Sequence, residues 1–477
     1  MKKRKIVFCG GIIGAVAMLL ACPNPSGGGS SSGGRVDIGP RYDVNGYPIK
    51  TLAYVEVNRA NPLNAGSYAM AKMDKDASGK LVPVLNADGS PVMQPLFDYV
   101  VIFAANIRQR DCSLETGEPH GCTKKGPHVH LNENVRYLLD NRQTYIKPLQ
   151  DKGIKVLLGL LGDHDGIGFG YMNAGQLETF AADLKSTLQT YNLDGIDIDE
   201  EWSTKEGEPA NNGADSIALY PDTINTPRGG MMRRLSVPIG PGNGFVNGDA
   251  GGSGGFSPHP DDWDWSEKEP KQTAKEAIFK KGGRTLFETI KKFREVLPAD
   301  AVITLYEINT SENITPGGID NEGTWGTGII FPESKDPDPV TNATASALAG
   351  LIDLSLYPLY GGLVPDSKNG LPPNKWAPLA IDVGGFAYED SSGYPLPTWD
   401  KVEDRANEFK DASDAGKPYG ALFVYDVERK SYALLGKDGV SHVNREDYLS
   451  EITEVIFGRE TVTVDHADHA HWGKIGR

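Results

Sequence analysis

The chain has 477 residues, and its 48 Lys and Arg against 64 Asp and Glu give a formal net charge of −16. This length allows one large domain or two or three small ones, and the acidic balance disfavours binding to the phosphate backbone of nucleic acids. A hydrophobic fraction of 39% excludes an intrinsically disordered chain and predicts a substantial core. The 57 glycines and 32 prolines predict many loops and at least one long insertion.

The amino-terminal residues are typical of a bacterial export signal. Basic residues 2–5 precede an apolar run too short for a comfortable membrane span, and the run ends in Leu-Leu-Ala-Cys22. This ending resembles a bacterial lipobox, which implies cleavage before Cys22 and attachment of lipid to its thiol. The alternative is a plain signal peptide that is cut elsewhere. We therefore expect a protein of the bacterial cell envelope, held by a lipid anchor at the cell surface or the periplasmic side of a membrane.

The composition predicts four regions along the chain. They are a lipoprotein signal peptide at 1–21, the anchored cysteine with a flexible Gly- and Ser-rich linker at 22–50, a folded domain at 51–458 and a carboxy-terminal tail at 459–477.

Two cysteines remain once the signal and the lipid site are set aside. Cys112 and Cys122 lie in a Gly- and Pro-rich loop of an exported chain, so we expect them to form a disulfide bond. A zinc site with His120, His128 and His130 is the alternative, although their spacing matches no standard zinc pattern.

Eight near-continuous apolar runs are typical of strands that are covered on both faces. They are 52–57, 97–107, 154–162, 193–199, 301–308, 351–357, 378–385 and 419–426.

Helical patterns separate these runs. Apolar residues recur at helical spacing through 135–149 and 177–191, and the segments 273–296, 398–415 and 444–457 are also predicted helices. Gly153 and Gly416 are expected to end two of the helices just before the next strand.

Alternating strands and helices, with a count of eight, predict an α/β protein with a (β/α)8 TIM barrel fold. The long connections at about 106–131, 202–272 and 309–347 each follow a strand. Such loops lie at the carboxyl end of a barrel, where active sites are built, so these insertions are expected to line a cleft.

The strongest chemical feature is an alternation of acids with isoleucines. Asp197, Asp199 and Glu201 are expected on one face of a strand, whereas Ile196 and Ile198 lie on the other. Burying three acids together is costly and raises the pKa of at least one, which then can act as a general acid. An acidic surface turn fits this alternation poorly. A Mg²⁺ or Ca²⁺ site is a further alternative, but no phosphate-binding loop or calcium-loop spacing accompanies it, so we expect no metal and no cofactor.

The pattern Asp194-x-x-Asp197-x-Asp199-x-Glu201 resembles the D-x-x-D-x-D-x-E signature of glycoside hydrolase family 18, whose (β/α)8 barrels include chitinases and endo-β-N-acetylglucosaminidases. The resemblance is to the endoglycosidase H type. It is carried by 53–58, 101–107, 130–135, 153–158, 162–169 and 193–201, and more weakly by 303–308, 356–361 and 425–428.

The resemblance implies hydrolysis of the β-1,4 bond between the two core GlcNAc residues of N-glycans on glycoproteins, with high-mannose or hybrid glycans favoured. Glu201 would protonate the glycosidic oxygen while the acetamido oxygen of the substrate attacks the anomeric carbon. Asp199 would orient the acetamido group, and Asp197 would tune Asp199. A chitinase and a non-catalytic glycan-binding relative are the alternatives. The protein is expected to be a monomer that does not bind nucleic acid.

The resemblance also implies a set of substrate-binding residues. The acetamido carbonyl should meet a tyrosine, but this chain has Tyr-Pro-Leu-Tyr-Gly at 357–361 where the endoglycosidase H pattern has Asn-Pro-Tyr-Tyr-Gly, so barrel packing is an alternative for both tyrosines. The predicted substrate-binding residues are Tyr360, Tyr357, His164, Asp194, Trp202, Asn106 and Glu56.

Overall fold

The structure is a computed structural model that describes part of the chain. The described residues are 38–57, 60–108, 112, 119, 121–161, 169, 172, 174–199, 286–306, 350–357, 379–382, 399–424, 434–435, 442–443, 445–459 and 461–463.

Seventeen strands are present in these ranges. They are β1 Arg41–Tyr42, β2 Pro48–Glu56, β3 Tyr68–Ala71, β4 Met73–Lys75, β5 Leu81–Pro83, β6 Met93–Pro95, β7 Tyr99–Arg108, β8 His128–His130, β9 Lys155–Leu161, β10 Gly195–Asp199, β11 Val302–Tyr306, β12 Leu354–Tyr357, β13 Leu379–Asp382, β14 Ala421–Val424, β15 Leu434–Leu435, β16 His442–Val443 and β17 Val462–Thr463.

Eight of these strands close into a parallel barrel in the order β2-β7-β9-β10-β11-β12-β13-β14. Every neighbouring pair in this order is parallel, and the pairing of β14 with β2 closes the ring. Each of the eight predicted strands is one of these barrel strands. The predicted α/β class and (β/α)8 TIM barrel fold are therefore confirmed.

The described helices are α1 Pro62–Ala65, α2 Glu133–Asp140, α3 Arg142–Tyr145, α4 Lys147–Asp151, α5 Ala174–Tyr191, α6 Leu286–Val296, α7 Trp399–Asp414 and α8 Arg445–Phe457. The helices predicted at 177–191, 398–415 and 444–457 are confirmed as α5, α7 and α8. The pattern at 135–149 is divided among three short helices, and the part of 273–296 before Leu286 lies outside the described residues. Gly153 and Gly416 have φ of 85° and 71°, which glycine adopts at little cost at helix ends.

Apolar side chains form two layers on the two faces of the barrel sheet. One cluster fills the space between strands and helices and includes Ile196 and Ile198 of β10. The other fills the barrel interior and includes Tyr54, Tyr306 and Phe423. Because successive side chains of a strand point to opposite faces, this division decides which polar residues face the interior.

Two short strands, β1 and β17, lie outside the range 51–458 and belong to different sheets. At one end Arg41 of β1 is fully buried, and its Nη1 lies 2.6 Å from Asp98 Oδ1. At the other end β17 pairs with β3, with Val462 opposite Ala69. Sequence reasoning missed these strands because they are only two to four residues long and carry no extended apolar run.

None of the helices that the structure describes has the length and apolar character needed to span a membrane. Cys112 and Cys122 are joined by a disulfide bond with a Cα–Cα distance of 5.9 Å.

Candidate active site

Two acids of β10 face the interior of the barrel at the carboxyl end of this strand. Asp197 and Asp199 are 0% and 1% exposed. Ile196 and Ile198, which alternate with them, pack in the layer between the sheet and the helices. The acid and isoleucine alternation in the sequence thus corresponds to two faces of one buried strand.

Asp197 lies close to hydroxyl groups from two other barrel strands. The Thr304 hydroxyl on β11 donates a hydrogen bond to Asp197 Oδ1 at 2.5 Å, and the Tyr54 hydroxyl of β2 also favours the charged form of this carboxyl. Burial nevertheless dominates, because removing the charged form from water costs more than these polar interactions return. It raises the pKa of Asp197 to about 7 from the ordinary 3.8.

Gly159 lies opposite Asp197 on the other neighbouring strand, β9. A β-carbon at this position would lie 3.1 Å from the carbonyl oxygen of Ile102 and 3.1 Å from the Phe103 ring. A larger residue would therefore have to displace the wall beside Asp197. The glycine keeps space for the carboxyl inside a densely filled barrel.

An aromatic cluster fills the barrel next to the acids. The rings of Tyr54, Tyr306 and Phe423 meet edge to face, with centroids 5.3 to 5.9 Å apart, and Phe103 lies 6.0 Å from Tyr54. Tyr306 is also the register partner of Asp199. These rings exclude water from the floor of the site, which accounts for the burial that raises the pKa of Asp197.

Two predicted substrate-binding residues lie at the same end of the barrel as Asp199. Glu56 is the last residue of β2 and is partly exposed. Asn106 of β7 is 3% exposed and pairs with Leu161, which in turn pairs with Asp199. Parallel strands present their carboxyl ends at one end of a barrel, so these side chains border the cleft of the acids.

Asp194 lies at the opposite end of β10. It precedes the strand, and its Oδ2 accepts hydrogen bonds from the Val156 amide and the Gln150 side chain, both at 2.9 Å. Asp199 lies five positions further along the strand, which corresponds to roughly 16 Å. The structure therefore does not bring Asp194 together with the other acids, and its contacts join β10 to β9.

The remaining predicted residues have no described side chain. Tyr357 is the final residue of β12, with Ile381 as its register partner. The residues that lie outside the described part of the chain are Glu201, Trp202, His164, Tyr360 and Cys22.

Sequence reasoning missed Tyr54, Thr304, Tyr306 and Gly159. The strands that carry them were predicted, and alternation along each strand could have placed the residues in the barrel interior. Their contact with Asp197 depends on the register between strands, which the spacing of residues along the chain does not encode. No group of three or more acids, histidines or cysteines in metal-binding geometry occurs among the described residues.

Comparison with known proteins identifies curated relatives of this chain. The chain is 37% identical over 161 residues to endo-beta-N-acetylglucosaminidase F1 of Elizabethkingia meningoseptica. This alignment covers 34% of the chain and 39% of the relative. It is 35% identical over 173 residues to an endo-beta-N-acetylglucosaminidase of Flavobacterium sp. (strain SK1022), covering 34% and 45%. The chain thus spans less than half the length of either relative. No protein-family model matches it.

Among solved structures, the chain is similar to the crystal structure of Bacteroides thetaiotamicron EndoBT-3987 with Man5GlcNAc product. The TM-score is 0.42 and the identity 19%, with 87% of this chain and 62% of that chain covered. The two curated relatives confirm the resemblance inferred from the acidic motif: this chain, a (β/α)8 barrel with paired acids on its fourth barrel strand, is related in sequence to bacterial endo-β-N-acetylglucosaminidases.

Proposed function

We propose that the protein is an endo-β-N-acetylglucosaminidase of glycoside hydrolase family 18 that cleaves between the two core GlcNAc residues of N-linked glycans. The observation that carries this proposal is the pair Asp197 and Asp199, buried side by side on the interior face of the fourth barrel strand. Glu201 follows at the next position of the same two-residue alternation. The names of the two curated relatives support this activity and this substrate class.

The proposed reaction proceeds with retention of the anomeric configuration and without an enzyme nucleophile. Glu201 donates its proton to the glycosidic oxygen as the bond to the anomeric carbon breaks. The acetamido oxygen of the same sugar attacks that carbon and forms an oxazolinium ion. Water then adds to the anomeric carbon, gives its proton to Glu201 and reopens the ring.

Asp199 and Asp197 have different tasks in this mechanism. The Asp199 carboxylate accepts a hydrogen bond from the acetamido N–H and offsets the positive charge that develops on the ring. Asp197, with its pKa raised to about 7, is largely neutral below that pH and so adds little negative charge beside Asp199. The wall of Tyr54, Tyr306 and Phe423 keeps this charge arrangement away from bulk water.

A product analysis tests the substrate class. The full-length protein in detergent is incubated with high-mannose, hybrid and complex glycoproteins and, separately, with chitin oligomers. We expect one GlcNAc to stay on the protein after cleavage of the high-mannose or hybrid substrates. Faster cleavage of chitin oligomers would favour a chitinase, and binding without cleavage of any substrate would favour a glycan-binding relative.

Asp199→Asn tests the role of the acetamido group. The amide keeps the shape of the carboxylate but not its charge, so hydrolysis of a glycopeptide should fall about 10- to 100-fold, the scale of one charge-assisted hydrogen bond. A preformed sugar oxazoline donor bypasses the first step and should still be processed. Equal losses with the glycopeptide and the oxazoline would contradict this role.

We also propose that the protein is a monomeric lipoprotein of the bacterial cell envelope, since basic residues, an apolar run and Cys22 follow one another as in lipoprotein signals. Cys22→Ala should abolish incorporation of a labelled fatty acid and move the protein from the detergent phase to the aqueous phase. Cys9→Ala is the matched control and should keep the label. Labelling of the Cys22→Ala protein would place the lipid elsewhere.

A further inference from the structure

One threonine lies directly opposite Asp197 on a neighbouring barrel strand. Thr304 of β11 is the register partner of Asp197, and both residues are 0% exposed. Ile303 and Leu305, which flank Thr304 in the chain, pack in the layer between the sheet and the helices. Alternation along the strand therefore directs the Thr304 side chain to the barrel interior, towards Asp197.

Among the described residues, two acceptors lie near the Thr304 hydroxyl. Its Oγ1 is 2.5 Å from Asp197 Oδ1 but 3.5 Å from the carbonyl oxygen of Ile196. On the β12 side, the register partner of Thr304 is Leu354, whose side chain cannot accept a hydrogen bond. The distances therefore assign the hydroxyl proton to Asp197, because 3.5 Å is at the limit of a hydrogen bond.

The other neighbouring strand offers no side chain that holds the Asp197 carboxyl. The register partner of Asp197 on β9 is Gly159, which leaves space beside the carboxyl. Thr304, in contrast, is β-branched, so few χ1 rotamers are open to it and little side-chain entropy is lost when its hydroxyl points in one direction. Of these two neighbours, only Thr304 restricts rotation of the carboxyl.

A neutral carboxyl has two different oxygens. One accepts hydrogen bonds, and the other carries the proton and donates. Because Thr304 donates to Oδ1 of Asp197, Oδ1 is the accepting oxygen and the proton of the neutral form is on Oδ2. The proposed mechanism uses this neutral form beside the Asp199 carboxylate.

We propose that Thr304 is a positioning residue of the active site, whose hydroxyl fixes the Asp197 carboxyl in one orientation with Oδ1 as the acceptor and Oδ2 as the proton-bearing oxygen. This inference rests on the proposed function and adds a residue to it. Thr304 acts on the reaction through Asp197 and needs no contact with the glycan.

The same hydrogen bond affects the titration of Asp197. Burial raises the pKa of this carboxyl to about 7, whereas the hydroxyls of Thr304 and Tyr54 lower it. Loss of the Thr304 hydroxyl should therefore raise the pKa of Asp197 further. The titratable side chains that face Asp197 in the described part of the barrel are Asp199 on its own strand, Tyr54 on β2 and Tyr306 on β11.

The experiment compares Thr304→Val and Thr304→Ser by kcat and KM on a high-mannose glycopeptide between pH 4 and 9. Valine keeps the shape without the hydroxyl, so kcat should fall about tenfold with little change in KM. The alkaline limb of the kcat profile should move up by about one pH unit, the scale of one hydrogen bond to a charged group. Serine keeps the donor and should restore both readouts. Thr304→Ala, which also lacks the hydroxyl, carries the same prediction if the valine variant does not fold.

Two controls separate positioning from stability. Thr51 is also a fully buried threonine of a barrel strand, but its hydroxyl donates to the Leu96 carbonyl near the amino end of β2. Thr51→Val should leave kcat and its pH profile unchanged, whatever its effect on the melting temperature. In an Asp197→Ala protein, Thr304→Val should change kcat less than about twofold, because the group through which Thr304 acts is gone.

The pH dependence of the unfolding free energy gives a readout that does not need activity. In the unchanged protein, the stability linked to the Asp197 proton is lost as the pH rises through about 7. In Thr304→Val this loss should extend about one pH unit higher.

The outcomes distinguish the inference from the function on which it rests. A Thr304→Val protein with unchanged kcat and unchanged pH profile would overturn the inference alone, even if its melting temperature is lower. An equal loss of kcat in Thr304→Ser, or a full tenfold loss in the Asp197→Ala background, would also overturn it. If the unchanged protein cleaves no glycopeptide, the proposed function fails, and the unfolding titration decides whether Thr304 positions Asp197.

Discussion

Replacing Glu201 by glutamine should lower the hydrolysis of glycoproteins at least about 10²-fold, with binding of the glycan retained. Glutamine has nearly the same size and still forms hydrogen bonds, but it cannot donate a proton to the departing oxygen, and general acid catalysis typically contributes on this scale. The measurement is kcat and KM on a high-mannose glycopeptide. The loss should appear in kcat, because protonation of the leaving group is needed only in the transition state.

The neighbouring residue provides the control. Glu200→Gln makes the same chemical change one position earlier, at a residue that the D-x-x-D-x-D-x-E pattern leaves open. Its turnover should stay near that of the unchanged protein. Near-normal kcat in Glu201→Gln, or an equal loss in Glu200→Gln, would remove the assignment of Glu201 as the acid.

Replacing Asp197 by asparagine should stabilise the folded protein at pH 8 by about 2–4 kcal/mol relative to the unchanged chain. The pKa of Asp197 is about 7 in the folded state against 3.8 as the ordinary value, so between these values the folded state holds a proton that the unfolded state has lost. The stability linked to this proton is fully present below about pH 4 and is lost as the pH rises through about 7. Asparagine stays neutral and avoids that loss.

The difference in unfolding free energy between Asp197→Asn and the unchanged protein, measured by denaturant titration from pH 4 to 8, isolates this group. It should be small at pH 4 and should grow towards pH 8. Asp300→Asn is the control, because Asp300 is exposed on the loop between α6 and β11. If the difference in unfolding free energy between Asp197→Asn and the unchanged protein does not depend on pH, the Asp197 carboxyl does not hold a proton in the folded state between pH 4 and 7.

The carboxyl of Asp197 lowers the stability of the folded protein although the proposed mechanism uses it. A carboxyl buried beside Tyr54 and Thr304 is unfavourable once it is charged, and a protein selected for stability alone would do better with a neutral group. The retention of an acid at position 197 is consistent with a catalytic need for it, supplied through its neighbour Asp199.

The sequence by itself determined the barrel and its acidic strand. Parallel barrel strands are buried on both faces, so each leaves a continuous apolar run, and all eight runs appear in the chain. The exception at β10 was equally visible, because Asp197 and Asp199 alternate with isoleucines. A strand has a period of two, so local spacing alone assigned both acids to one face.

Only the tertiary structure decided what surrounds those acids. Thr304, which donates to Asp197, is 107 residues away in the chain, and Tyr54 comes from the first barrel strand. The row that joins Asn106 to Asp199 likewise depends on the register between β7, β9 and β10.

Asp194 illustrates the same division. The sequence places Asp194 three residues before Asp197 in one motif. In the structure, however, the side chains of the two residues point in opposite directions. Asp194 joins β10 to β9 through the hydrogen bond that its carboxylate accepts from the Val156 amide. Local periodicity records which face of a strand a residue occupies. Register, depth and long-range partners arise only when eight separate strands close into one ring, because each of them depends on contacts between distant parts of the chain.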